Sequence, residues 1–197
     1  MDERSDEKLM LAFQKGDTKA FEILLTRHER DVYRFALRML GDSMQAEEVA
    51  QESFLRVIQS AGRYKAKAGF RNYLYRIARN LCIDLLRRRP REAARPPAGD
   101  AGPEQTPEAI PDRNPGPENH VGAEQLRSAI RRALLTLPAD QREAFLLKEV
   151  KDMKLQDVAI ITGANLNTVK SRLRYALLRL REHLAEEGIG KEIGHEM

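Results

Sequence analysis

Tryptophan is absent from this chain, cysteine occurs once, and aromatic residues make up only 6% of it. With so few rings, large aromatic anchors are few. The lone Cys82 excludes an internal disulfide and fits a reducing compartment. Long apolar runs are missing too: stretches such as Ala144-Phe145-Leu146-Leu147 are far too short to span a bilayer. Residues 1–8 are charged and mixed in sign, where an export signal is basic and then apolar, so a cytoplasmic location is expected. Phosphate-cradling glycine loops, paired Cys or His at metal spacing and nucleophile elbows are all absent from the sequence. The expectation is a protein that is not an enzyme, with no catalytic residues, no metal and no cofactor.

What the chain does have is unevenly placed positive charge. The net charge is +4 over 197 residues, but residues 62–91 hold ten Lys/Arg against one acid, Asp84. Residues 166–181 hold five Lys/Arg and no acid. Stripes of this kind suit a polyanion, because neutralising phosphates releases condensed counterions. A solvated helix face is the plainer reading of either stripe alone.

Seven of the nine prolines lie in residues 93–120, with three glycines and no helical or strand period. Proline fixes its own φ and donates no backbone hydrogen bond, so this segment is expected to be a flexible linker. Its coil span is roughly 30 Å, from about 5–6 Å times the square root of its length. The expected domains are therefore 1–92 and 121–186, with a tail at 187–197. Both read as all-α, since apolar residues recur at three- and four-residue spacing and no alternation occurs.

In the first domain a short helix is expected over 6–14, broken at Gly16-Asp17. A long one over 19–40 carries Phe21, Leu24, Leu25, His28, Val32, Phe35 and Met39 on one face. Gly41 supplies a left-handed C-terminal cap, and Asp42 caps the next helix with Gln45 completing a capping box. That helix turns Val49, Ala50, Phe54, Val57 and Ile58 inward. A fourth runs over 68–89, with Phe70, Tyr73, Leu74, Ile77, Ala78, Leu81 and Leu85 on one face, and Pro90 ends it. The second domain is expected to have a helix over 123–135, another starting at Leu137-Pro138, a short one over 155–161, a turn at Gly163 and a basic helix over 167–186. Ala159, Gly163 and Val169 have helix-turn-helix spacing, though plain helical hairpins share it.

Several residues admit two readings. His28 and Cys82 sit on apolar faces and read as structural, a hydrogen-bonded histidine and a small buried hydrophobe. Glu47, Glu48 and Glu52 follow a helix start, where they either complement the positive helix end or form an acidic docking face. Arg76, Asn80 and Arg87 share one helix face, with Arg79 beside them. Near Tyr64, Phe70 and Tyr73 they would hold phosphates, stack on an unpaired base and bond its edge. The competing reading makes the aromatics core and the arginines solvated surface.

The segments AEEVAQESFLRV (46–57), FRNYLYRIARNLCIDLLRRR (70–89), LPADQREAFLL (137–147) and NTVKSRLRYA (167–176) resemble, in this order, the extracytoplasmic-function (ECF) sigma factors of bacterial RNA polymerase. The resemblance spans about 85% of the chain. It implies that Glu47, Glu48, Gln51 and Glu52 bind core RNA polymerase. It implies that Arg76, Arg79 and Asn80, with Tyr64, Lys65, Phe70 and Tyr73 from and beside the preceding loop, recognise and melt the minus-ten element of promoter DNA. It places the minus-thirty-five contacts on Asn167, Thr168, Lys170, Ser171, Arg172, Arg174 and Tyr175. An anti-sigma factor, possibly membrane-bound, is a further expected partner. The sequence departs from the family at Tyr73, usually Trp, and at Ala66-Lys67-Ala68, often Gly-Asp-Ser. Lys154 stands where Ser often caps a helix, with Asp152 expected to substitute, and Asn167 replaces a frequent Gly whose backbone angles Asn tolerates. Two rivals are weighed against this reading. A stand-alone helix-turn-helix regulator would not need the aromatic-arginine segment, and an enzyme acting on nucleic acid would need a catalytic constellation.

Overall fold

The computed structural model describes residues 3–66, 69–88 and 120–188, and every regular element among them is helical. The helices are α1 (Asp6–Gln14), α2 (Thr18–Leu40), α3 (Ser43–Ser60), α4 (Phe70–Arg88), α5 (His120–Thr136), α6 (Ala139–Phe145), α7 (Leu155–Thr162) and α8 (Leu166–Glu186). The expected linker, apart from His120 at the head of α5, lies outside the described residues, as do Lys67, Ala68, Pro90 and the tail beyond Gly188.

Local chemistry sets the boundaries of the first bundle. Ser5 Oγ accepts from the Lys8 amide and Asp17 Oδ1 from the Ala20 amide, starting α1 and α2. Asp42 Oδ1 accepts from the Gln45 amide at 2.9 Å and starts α3. Glu7 Oε1 of α1 accepts the Phe70 amide at 3.1 Å, so one helix caps another across 63 positions of sequence. Gln14 donates to the Ala61 and Tyr64 carbonyls at 2.5 and 3.1 Å, pinning the loop before α4 to α1. His28 is the structural histidine expected: its Nε2 lies 2.6 Å from Asp6 Oδ2 and its ring packs on Phe70.

The core of this bundle is the set of faces read from periodicity. Leu24, Val32, Phe35 and Met39 of α2 are buried against Val49, Phe54 and Val57 of α3 and Phe70, Leu74 and Ala78 of α4. Phe35 meets Tyr75 edge to face at 5.4 Å. One inward assignment is corrected. Ile58 is 43% exposed, because the adjacent Val57 takes the inward direction at the end of α3.

In the second domain α6 runs on into one π turn over Leu146–Val150, burying Leu146 and Leu147. Helices α7 and α8 form the helix-turn-helix: Gly163 is left-handed at φ 68°, Val169 is buried, and Ala159 is partly buried where the helices meet. Two capping expectations are corrected. Asp152 does not cap α7: it is exposed, at a left-handed φ of 49°, and faces Lys148. Asn167 needs no special angle, because α8 starts one residue earlier at Leu166 and Asn165 is its cap.

The two bundles pack against each other. Helix α2 touches α5 and α6, and α4 touches α6 and α7. Gly41 decides part of this contact. It takes φ 72°, and a Cβ there would lie 2.8 Å from Leu135 Cδ1 of the second domain. Buried Arg142 donates to the carbonyls of Met39, Leu135 and Leu137, joining the end of α2 to the α5–α6 corner.

Burial pushes the Cys82 thiol up to about 12. Native protein is therefore expected to resist alkylation by iodoacetamide from neutral to mildly alkaline pH and to react fully once denatured. Rapid labelling of the native fold would show that this part of α4 opens readily.

Candidate nucleic-acid and polymerase interfaces

Helix α4 sorts its basic face by depth. Arg76, Asn80, Arg87 and Arg88 are exposed, while Arg79 is half-buried. Before them lies a concavity lined by Arg63, Tyr64, Lys65, Asn72, Tyr73, Arg76 and, from α7, Ile160. The aromatics divide. Phe70 is fully buried between α1 and α2 and presents no surface to a base, so its expected stacking role is corrected to a supporting one. Tyr64 is nearly buried, with its hydroxyl pushed up to about 12 by burial and then by Glu7, though it borders the concavity. Tyr73 is half-exposed, and its hydroxyl bonds Ser60 Oγ. Arg63 and Asn72 were not singled out from sequence. Arg63 lies in the basic stripe, but Asn72 has no signal of its own.

Helix α8 presents Asn167, Lys170, Ser171, Arg174 and Tyr175 to solvent, with Thr168 and Arg172 half-buried. All seven expected residues of this helix thus form its exposed front or border the shallow hollow between its first turn and the start of α6 (Asp140, Gln141). Asn165 Oδ1 accepts the Thr168 amide at 2.8 Å and fixes that first turn. The Arg174 guanidinium lies over the Tyr175 ring at 5.2 Å, a cation–π pair that holds both side chains on one face. Arg172 is the exception to the free front: its Nε reaches Asp140 Oδ2 at 3.1 Å.

On α3, Glu47, Glu48 and Gln51 are exposed and Glu52 is half-exposed, bonded to Arg56 at 2.8 Å. The structure adds an apolar component. Met44 (81% exposed), Leu55 and Ile58 line up with Glu48 and Gln51 at four-, three-, four- and three-residue steps. That is one stripe, part acidic and part apolar, uncovered among the described residues.

Between the bundles lies the most buried charge among the described residues. Glu143 of α6 is 0% exposed. Arg79 Nε and Nη2 of α4 donate to its two carboxylate oxygens at 2.6 and 3.0 Å. Arg79 Nη1 donates to Asn80 Oδ1 at 3.1 Å. Arg172 Nη1 of α8 approaches the same carboxylate at 3.6 Å. Burial pushes the Glu143 carboxyl up, and the two guanidiniums pull it back. Alongside, Asn72 Nδ2 donates to Asp157 Oδ1 at 2.6 Å and Arg71 donates to the Lys151 carbonyl. The largely buried Lys151 ammonium meets Asp31 at 2.8 Å. Burial lowers Lys151, and Lys151 in turn holds the Asp31 carboxyl below its usual range despite that group's partial burial.

The arrangement is an all-helical protein with a helix-turn-helix that exposes a basic helix, and a second basic helix fronted by a polar-aromatic concavity. Family models described as Sigma-70 region 2 and Sigma-70, region 4 match residues 24–92 and 127–180. The ECF RNA polymerase sigma factor SigM of Mycobacterium tuberculosis is 33% identical over 193 residues, covering 97% of this chain and 90% of the relative. Two solved structures share the fold. CnrH, in complex with the cytosolic domain of CnrY, superposes with a TM-score of 0.70 at 20% identity over 93% of this chain and 99% of that one. The sigma factor RpoE of Bartonella quintana, in complex with the anti-sigma factor NepR, gives 0.63 at 24% identity over 85% and 98%. This chain belongs to the ECF sigma factors. It binds core RNA polymerase, directs it to promoter DNA for transcription initiation, and is not an enzyme. No described helix is long and apolar enough to cross a membrane.

The capping geometry of α8 yields a first test of that helix. Asn165→Ala removes the acceptor for the Thr168 amide and should lower stability by about 1 kcal/mol. A melting temperature unchanged from wild type would mean that the first turn is held by other contacts.

Proposed function

We propose that the three exposed faces divide initiation among them. The α3 stripe docks polymerase, the α4 face opens and holds the minus-ten element, and α8 reads the minus-thirty-five element. The observation that carries the reading is the pairing of exposed Arg76 and Asn80 with a concavity bordered by Tyr64, Lys65 and Tyr73. Duplex binding needs only cations on phosphates. A recess edged by rings and an amide suits an unpaired base, which stacks on the ring and is bonded along its edge.

Magnitudes support the division. Extruding one base from the stack costs a few kcal/mol. Stacking on an aromatic side chain returns about 1–3 kcal/mol per base, so one capture nearly balances one extrusion. Polymerase holding the flanks then decides the outcome. On α8, Lys170 and Arg174 follow the turn of the helix-turn-helix, which puts early side chains on base edges in the major groove. On α3, Glu48 and Gln51 between Met44 and Leu55 suit a basic partner helix with apolar side chains. Cytoplasmic location follows from the work, since polymerase and promoter are there. An anti-sigma factor is the regulatory partner, a reading supported by the complex with NepR described for the Bartonella quintana relative.

Reversing Glu48 and Glu52 to Lys should abolish co-purification with core polymerase while the melting curve stays close to wild type, since like charges across an interface cost several kcal/mol. Retained binding by the folded double variant would remove α3 from the interface. Asn80→Ala should spare polymerase binding and lower transcription from duplex promoters, with a smaller loss on a template carrying a pre-opened bubble. Permanganate reactivity of promoter thymines reads the opening directly. Equal reactivity and equal transcript yield for variant and wild type would make this face structural.

A further inference from the structure

A cluster of charge lies apart from every residue assigned to polymerase or DNA. On α2, Asp31, Arg34 and Arg38 fall at three- and four-residue steps and share one face. Arg71 and Tyr75 of α4 stand one turn apart, with the Arg71 guanidinium carbon 5.9 Å from the centre of the Tyr75 ring. Lys151, just after the π turn, places its ammonium 2.8 Å from Asp31, and Arg71 donates to its carbonyl. Arg131 of α5 adds a further cation near Arg38. Five cations thus gather around one carboxylate, and they crowd one another. Burial and then Arg34 pull the Arg38 guanidinium below its ordinary value, and Arg38 and Arg71 add to the lowering of Lys151 by burial. Among the described residues, no hydrogen bond or ion pair holds the guanidinium of Arg34, Arg38 or Arg131.

Tyr75 reaches into this cluster. It is 1% exposed, and its hydroxyl has no hydrogen-bond partner among the described residues. Phe35, edge to face at 5.4 Å, and Arg71 fix the ring, and a phenol oxygen on the ring axis cannot turn away. The charges that act on this hydroxyl are those of Asp31, Arg71 and Arg38. A buried hydroxyl without a partner is costly, and in folded proteins it marks the place of a water or an ion.

We propose that Tyr75, Arg38, Arg71 and Lys151, with Arg34 and Arg131 beside them, bind a free phosphoryl anion: inorganic phosphate or the terminal phosphoryl group of a nucleotide. An anion placed there accepts the Tyr75 O–H and relieves the repulsion among the cations. Guanidinium forks match the oxygens of a phosphoryl group. Asp31 keeps the Lys151 ammonium in place, and its carboxylate has acceptor sites left for the O–H of a monohydrogen phosphate. A duplex backbone fits poorly, because the Tyr75 and Lys151 side chains, the latter 7% exposed, lie below the surface. The donors come from both bundles, so the ligand stabilises the native chain by mass action.

The full-length protein tests the site with inorganic phosphate, pyrophosphate and ATP without magnesium, each titrated at constant ionic strength. Calorimetry reads affinity, and the melting temperature reads stabilisation. Wild type should bind one or more of the three and melt higher as its concentration rises. Tighter binding of ATP than of pyrophosphate makes the ligand a nucleotide, and the reverse makes it the free anion; both uphold the site. Arg38→Gln and Tyr75→Phe should each weaken binding roughly tenfold, the loss of one donor to a charged acceptor. Arg132→Gln, which removes an exposed cation next to Arg131, should leave it unchanged. Without anion, Tyr75→Phe should melt no lower than wild type, since it keeps the ring and removes only the unpartnered hydroxyl. A clear destabilisation there would show that the hydroxyl already has a partner and overturn the site. So would no binding of any of the three anions at millimolar concentration, affinity retained in both variants, or an equal loss in Arg132→Gln. Mixed-sequence duplex DNA is the last arm. A drop in duplex affinity in Arg38→Gln and Tyr75→Phe as large as their drop for phosphate would assign the cluster to the DNA backbone and overturn the proposal.

Discussion

The carboxylate of Glu143, out of reach of water, organises this molecule. A buried charge is tolerable only when it is paired and hydrogen-bonded. Here the partners come from other helices: Arg79 from α4, bidentate, and Arg172 from α8. These pairs tie the helix-turn-helix domain to the first bundle. Around it the other polar contacts take their places: Arg142 on the end of α2, Asn72 on Asp157, Lys151 on Asp31. The apolar core follows the same line, with Leu134, Leu137 and Leu147 continuous with the core of the first bundle.

Function uses the same chemistry. A guanidinium that pairs with a carboxylate has the geometry to pair with a phosphate or a base edge as well. The faces differ in what surrounds those arginines. On α4 there is a recess edged by Tyr73 and Lys65, suited to a single strand. On α8 the cations stand on an open helix front with Arg174 braced on Tyr175, suited to a groove. On α3 the polar pair Glu48 and Gln51 is flanked by Met44 on one side and Leu55 and Ile58 on the other, suited to another protein.

Much of this was legible in the chain itself. Helix faces were, because a core-facing stripe must repeat every three or four residues, and Leu24, Val32, Phe35 and Met39 do. Caps were, because Gly41 and Asp42 act on their immediate neighbours. Where two apolar residues adjoin, as at Val57 and Ile58, periodicity alone did not say which turns inward. Four ordered segments marked the family. Composition did not separate core rings from working rings: Phe70 and Tyr73 lie on the same stripe, and depth assigns one to the core and the other to the recess.

Sequence by itself determined the helices, most of their ends and the family, since helix faces and caps depend on neighbours within a turn or two. Tertiary structure alone decided that Arg79 and Arg172 share a carboxylate, that Glu7 caps a helix 63 positions away, and that Met44 and Ile58 are left uncovered. The reason is geometric. Glu143 is one more acid in an ordinary helix until Arg79, 64 residues earlier in the chain, is brought to 2.6 Å from it.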